Sequence, residues 1–227
     1  MVIRWKGRSK HKQYNASKPH KYHIKTFGLC DSATGYCINI LIYFGKDTSY
    51  NPDMGPEGSQ AVKVFDYLMT PLVKGHHIFA DRYYTSYPLL QYLTNRKTYF
   101  TGTFNVNRKN FPPELKSLSL NHRESKYFLE EKTDYLCVAW RDKKAKKNCV
   151  TVSSCSSTNE EEKRSKFGIE KKIPSMIAAY NDSMNGCDRL DQSVSYYGEF
   201  QRKTKKMVPL GSGSDTSQCP YFVQPDT

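Results

Sequence analysis

Lys21-Tyr-His-Ile-Lys-Thr-Phe-Gly-Leu-Cys-Asp-Ser-Ala-Thr-Gly-Tyr-Cys-Ile-Asn-Ile-Leu-Ile-Tyr-Phe44 is the stretch on which the fold turns. Two runs rich in β-branched and aromatic residues flank Asp-Ser-Ala-Thr-Gly at 31–35, which predicts a β-hairpin with a short glycine-containing turn. Side chains alternate along a strand, so Phe27, Leu29 and Asp31 share one face and a carboxylate closes an apolar stripe. Taken alone, Asp31 reads as a turn residue that caps its own backbone. Two later stretches place carboxylates in comparable settings and make it a candidate functional group.

The first is Gly75-His-His-Ile-Phe-Ala-Asp-Arg-Tyr-Tyr-Thr-Ser-Tyr-Pro-Leu-Leu90. His76 to Asp81 reads as a short buried strand ending in an acid. Thr85 or Ser86 is expected to cap the next helix, with Pro88 in its first turn and Leu89, Leu90 and Leu93 on its core face. Strand, acid, helix cap is the order in which open α/β sheets place sites at strand C-terminal ends. The second is Ala179-Tyr-Asn-Asp-Ser-Met-Asn-Gly-Cys-Asp-Arg-Leu-Asp-Gln192. A helix starting near Met184 puts Asp188 and Asp191 three residues apart on one face, a like-charged pair that a cation would relieve. Carboxylates suit Mg²⁺ or Mn²⁺, which prefer oxygen donors. Two such ions about 3.5–4 Å apart serve phosphodiester cleavage.

Working outward, Ser59 is expected to cap a helix over roughly residues 60–70, with Ala61, Val64, Phe65 and Leu68 as its buried stripe and Pro71 ending it. Tyr99 to Phe104 reads as another strand, followed by Asn107, Arg108 and Lys109. The organisation expected is a basic lead-in at 1–20, a first core part at 21–110, a polar insertion at 111–173, an acid-bearing core helix at 174–206 and an unrelated tail at 207–227. The insertion is expected to hold strand-like pieces at Tyr135–Trp140 and Asn148–Ser153 and a charged mobile loop at Glu160–Lys172, without a hydrophobic core of its own. Lys143, Lys144, Lys146 and Lys147 read as a solvated hairpin tip ahead of a DNA contact. In the lead-in, Lys6, Arg8 and Lys10 read either as a solvated arm or as phosphate contacts.

The chain has 227 residues, 37% hydrophobic and 13% aromatic, enough for a core and against wholesale disorder. A net charge of +13 reads evenly as simple solubility or as a preference for a polyanionic partner, nucleic acid ahead of a membrane surface. Seven cysteines, an odd number with no CxxC spacing, argue against a zinc knuckle or a disulfide framework and for reduced thiols of the cytosol or nucleus. No signal-peptide pattern or membrane-length apolar run is apparent, so neither secretion nor a membrane association is expected.

The residues also resemble a family. Cys30-Asp31-Ser32 after Lys-Pro-His-Lys-Tyr-His-Ile-Lys, Asp81-Arg-Tyr-Tyr-Thr-Ser, Thr101-Gly-Thr103 with Asn107-Arg108-Lys109, and Tyr180-Asn181 through Asp188-Arg-Leu-Asp191-Gln192 occur in the order of the piggyBac transposases. The resemblance runs from about Lys6 to Lys206. It implies an α/β fold of the RNase H-like DDE/D type, a mixed sheet with flanking helices and a β-rich insertion, here expected to be incomplete at the C-terminus. It implies metal-dependent DNA cleavage and strand transfer at TTAA targets, with Asp31, Asp81 and Asp188 as catalytic and metal-holding acids, Asp191 as a nearby fourth, and a two-ion Mg²⁺ or Mn²⁺ site. It further suggests DNA contacts by Lys6, Arg8, Lys10, Asn107, Arg108, Lys109, Arg202, Lys203, Lys205 and Lys206, a homodimer, and a nuclear location. The sequence departs from the family pattern. Asn185-Gly186-Cys187 stands where Gly-Gly-Val is usual, and Asn105 where an arginine is usual. Flanking N-terminal and cysteine-rich C-terminal segments are expected to be missing. The competing readings are a catalytically silent DNA- or protein-binding derivative, and a basic α/β protein whose acids only cap turns.

Overall fold

The hairpin is formed by β3 (Tyr22–Cys30) and β4 (Cys37–Ile42), paired antiparallel from Thr26↔Ile42 to Cys30↔Cys37 with a register shift between Leu29 and Cys30. The computed structural model describes residues 2–5, 7–17, 21–51, 59–108, 111–164 and 170–196. Within them the lead-in is no detached arm. β1 (Val2–Arg4) and β2 (Gln13–Tyr14) both pair antiparallel with the first half of β3, completing a four-stranded sheet.

Helix α1 (Gln60–Leu68) starts where the sequence predicts, with the Ser59 hydroxyl accepting from the Val62 amide at 3.4 Å. Val64, Phe65 and Leu68 are buried as expected, Ala61 only partly, and Val62 joins them. Asp66 is buried on the same helix, which the apolar spacing did not reveal. Its carboxylate is held by Arg96 Nη1 at 3.0 Å, by Asn51 Nδ2 at 2.9 Å and by the Tyr92 hydroxyl. These bonds tie α1 to α2 (Tyr87–Asn95). Removing one partner strands a buried charge. Arg96→Met is therefore expected to cost about 2 kcal/mol in urea unfolding, discounted because Arg96 reaches the surface. Adding Asp66→Leu should restore part of that loss. An additive double mutant would show that the two side chains act independently.

β5 (His77–Ala80) pairs in parallel with β6 (Tyr99–Thr103), and α2 crosses between them. Leu89, Leu90 and Leu93 are fully buried as expected. Ser86 stands at the N-cap with Pro88 in the first turn, yet its hydroxyl makes no capping bond and has no partner. Thr85 instead donates to the Asp81 carbonyl at 3.0 Å.

Residues beyond 110 are more tightly built into the fold than expected. β6 bonds antiparallel to β9 (Cys149–Ser153), β9 to β8 (Leu136–Trp140), and β8 to β7 (Ser125–Leu129), so one sheet runs β5-β6-β9-β8-β7. The expectation of a coreless segment is corrected. Leu136, Val138 and Trp140 pack with Met176 and Ile177 of α4 (Ser175–Ser183), while Ala139 and Val150 pack with Phe111, Leu115 and Leu120 around the short α3 (Pro113–Lys116). Covering both faces of β8 explains its near-continuous apolar run. The charged tract is likewise an antiparallel ladder, β10 (Glu160–Arg164) against β11 (Glu170–Pro174). Glu162 faces Lys172 across it at 3.6 Å, an opposite-charge pair that offsets the polarity of the strands. The four lysines at 143–147 do lie exposed in the β8–β9 turn.

A shared apolar cluster joins the hairpin to the second sheet. Phe27 and Leu41 meet Val64, Phe65, Leu89, Leu93, Ile78 and Phe100 there. The described residues up to Gln192 form one compact unit. Helix α5 (Gly186–Tyr196) follows α4 after a two-residue turn at Met184 and Asn185, and its last turn is the described part of the second unit. No described helix is long and apolar enough to cross a membrane.

Candidate active site

Asp31 directly follows β3, and its carboxylate does cap the hairpin turn. Oδ2 accepts from the Thr34 amide at 2.8 Å and the Thr34 hydroxyl at 2.5 Å. These bonds, with smaller help from the Ala33 amide and the Arg189 charge, hold Asp31 below the usual carboxylate range. The turn role and a site role coexist, because α5 docks on the same turn. Gly186 abuts the Asp31 carbonyl so closely that a Cβ there would lie 2.7 Å from its oxygen. Gly35, with φ +79°, lies against Arg189, whose guanidinium donates to the Ala33 carbonyl. Cys187 Sγ rests 3.5 Å from Cys30 Sγ. The first turn of α5 thus carries exposed Asp188 beside the Asp31 turn, where the helix N-terminus favours an acid. Asp191 follows one turn on, partly buried.

Asp81 follows β5. Its Oδ1 accepts from the Tyr83 amide at 2.9 Å, which orients the exposed acid. β5 and β6 are parallel, so their C-terminal ends open on one side, and the residues after β6 come beside Asp81. Asp81, Arg82, Tyr83, Asn105, Asn107 and Arg108 line a cleft of 470 Å³. Arg108 donates to the Tyr83 carbonyl across it. Lys25 of β3 donates to the Tyr83 hydroxyl at 2.9 Å and lies 4.4 Å above that ring.

Tyr84 links the two halves. It packs against Phe27 and Phe65. Burial pushes its phenol up, with the charges of Asp81, Tyr83 and Cys187 adding to the shift. Tyr180 of α4, also raised chiefly by burial, contacts Thr103 Oγ1 at 3.3 Å and senses Asp81.

Among the expected DNA-contacting residues, Asn107 and Arg108 stand beside Asp81. Arg8 and Lys10 lie elsewhere, between β1 and β2, where Lys10 pairs with Asp47 at 2.9 Å. Lys6, Lys109, Arg202, Lys203, Lys205, Lys206 and the 207–227 tail are outside the described residues. Lys25, Arg82, Tyr83, Asn105, Tyr180 and Arg189 were not anticipated as site residues, although each stands in or beside a stretch quoted for the family resemblance, Asn105 as the position where an arginine is usual. The donor set is all carboxylate, which fits a hard divalent cation. Among the described residues, no three His, Cys, Asp or Glu side chains converge tightly enough to hold an ion.

The fold is that of an RNase H-like DDE core, in which Asp31 follows a long strand of the antiparallel sheet, Asp81 a parallel strand of the mixed sheet, and Asp188 stands on a late helix. The family model described as Transposase IS4 matches residues 1–208. The chain is 25% identical over 207 residues to the human PiggyBac transposable element-derived protein 3, covering 86% of this chain and 34% of that protein. It is 26% identical over 153 residues to the human PiggyBac transposable element-derived protein 2, covering 64% and 25%. A piggyBac transposase solved by cryo-EM as a synaptic complex with hairpin DNA superposes with a TM-score of 0.69 at 29% identity, over 86% of this chain and 39% of that one. The chain belongs to the Transposase IS4 family and to its piggyBac-like members. It spans only about a third of the length of the first curated relative.

Proposed function

We propose that this chain is the catalytic-core portion of a piggyBac-like transposase that cuts DNA with divalent metal ions, Mg²⁺ or Mn²⁺, held by Asp31, Asp81 and Asp188 with Asp191 nearby. The observation that supports the reading is the seating of Gly186 on the Asp31 carbonyl, which docks the first turn of α5, the turn that carries Asp188, on the hairpin turn that carries Asp31. When bound, two such ions would activate the attacking oxygen and stabilise the leaving one. The chain's own groups position the backbone. Arg108 and Asn107 offer donors to a phosphate in the Asp81 cleft, and Tyr83 and Arg82 form its wall. Water or a 3′-hydroxyl attacks phosphorus, the P–O3′ bond breaks, and a 3′-hydroxyl leaves. TTAA targets, pairing of two copies and work in the nucleus belong to the same proposal.

The purified chain is expected to nick TTAA-containing plasmid DNA in Mn²⁺, and Asp81→Asn to abolish nicking while the protein stays folded. A melting temperature that rises with Mn²⁺ in the wild type but not in Asp31→Asn/Asp81→Asn would locate the cation, because a ligand of the folded state stabilises it by mass action. One observation favours a second reading, a silent binding derivative: the described acids do not converge on a single ion. DNA retention without nicking, and a melt indifferent to Mn²⁺, would select it.

A further inference from the structure

Three thiols meet where α5 sits on the hairpin. Cys30 and Cys37 face each other at the end of the β3–β4 ladder, beside the register shift. Cys187, in the first turn of α5, places its sulfur 3.5 Å from that of Cys30 and 3.7 Å from the Gly28 carbonyl. The backbones are close as well, since a Cβ on Gly186 would lie 3.4 Å from Cys30 Cβ. A disulfide needs about 2.05 Å between sulfurs, so closure requires a movement of about 1.5 Å. Cys187 is exposed and Cys30 partly so, which leaves an oxidant a path.

We infer that Cys30 and Cys187 are a reversible dithiol–disulfide site, and that the bond controls the placement of Asp188 against Asp31. With hydrogen peroxide as oxidant, the Cys187 thiolate attacks one peroxide oxygen. The O–O bond breaks, one water leaves after protonation, and Cys187 becomes a sulfenic acid. The Cys30 sulfur then attacks the Cys187 sulfur, the S–O bond breaks and a second water departs. Two thiols lose two electrons and two protons, and peroxide is reduced to two waters. A dithiol reductant reverses the exchange. The bond draws the first turn of α5 toward the end of β3. Asp31 and Asp188 are the next residues along each chain segment, so their separation changes with it. The consequence for cleavage rests on the function proposed above; the bond itself does not.

The test oxidises the purified chain with hydrogen peroxide and digests it under non-reducing conditions with a protease that cuts before aspartate. Cleavage before Asp31 separates Cys30 from Cys37, and cleavage before Asp182 and Asp188 releases Cys187 at the end of a short peptide. The expected product joins the Cys30 and Cys187 peptides with the loss of two hydrogens. It should vanish in Cys30→Ser and in Cys187→Ser, persist in Cys37→Ser and disappear with dithiothreitol. A Cys30–Cys37 bond in place of it, over-oxidised Cys187, or untouched thiols would overturn the assignment. For the consequence, oxidation is expected to lower wild-type nicking at least tenfold, reversibly, and to leave Cys187→Ser nicking unchanged. A cross-linked chain that nicks as well as the reduced one would refute the control role. A reduced chain that never nicks would refute the cleavage reading alone, and the cross-link and its variants would still decide the thiol site.

Discussion

Gly102→Val is expected to lower the melting temperature by roughly 9 °C, from a cost of about 3 kcal/mol in a chain of this size. Intrinsic preference points the other way, because valine favours strands and glycine weakens them. Geometry decides. Gly102 lies within β6, paired with Ala80 on one side and Val152 on the other. A Cβ there would fall on the Thr85 hydroxyl, and 2.8 Å from both the Ala80 carbonyl oxygen and Phe100 Cζ. None of these can swing aside. Ala80 contributes backbone, while Thr85 and Phe100 are fully buried. Thr85 also holds the Asp81 carbonyl, so a side chain at 102 pushes on the turn that presents Asp81. Thermal unfolding by circular dichroism measures the first effect. A melt within 2 °C of the wild type would mean that the β5–β6 pair relaxes and that the close approach is not structural.

The glycine of Thr-Gly-Thr shows what the sequence could convey and what it could not. The residue stood out as part of a motif, but its reason lies in Thr85, seventeen positions upstream. Local signals read well. The hairpin, the Ser59 cap and the leucines of α2 each depend on neighbours within a turn or two, and each appeared where alternation or helical spacing put it. Long-range pairing read poorly. β9 looked like a piece of an insertion because its partner β6 lies about fifty residues away, and no periodicity encodes that ladder. Asp66 was invisible for the same reason: its partners Asn51, Tyr92 and Arg96 are scattered in the chain. The site followed the same division. Asp31 and Asp81 were legible as acids at strand ends, and Asn107 and Arg108 as donors after a strand. Arg189 anchors α5 to the Asp31 turn; its place between Asp188 and Asp191 marked it only as a neighbour of the acids, because the carbonyl it reaches lies 156 residues upstream.

Gly186→Ala should separate the assembly of the acids from the stability of the fold. The added Cβ would lie 2.7 Å from the Asp31 carbonyl oxygen and 3.3 Å from its carbon, backbone atoms held by the hairpin turn. Alanine is the better helix former, so a loss cannot come from propensity within α5. Either α5 lifts or the turn yields. Arg189 and Cys187 both grip the hairpin from the same first turn, so a lift loosens both contacts together. Displacement by about 1 Å is enough to cost about 100-fold in a reaction that depends on fixed geometry. Nicking in Mn²⁺ is therefore expected to fall by about that factor, while the melting temperature drops only a few degrees, because the shared core of Phe27, Leu93 and Phe100 is untouched. The displacement has a readout that needs no catalysis. Cys187 should react faster with a thiol reagent in Gly186→Ala than in the wild type, and Asp31→Asn, which adds no atoms at this contact, should not reproduce the change. Unaltered thiol reactivity together with full nicking would mean that α5 is not held by this contact, and that the proximity of Asp188 to Asp31 rests on something other than the missing side chain at 186.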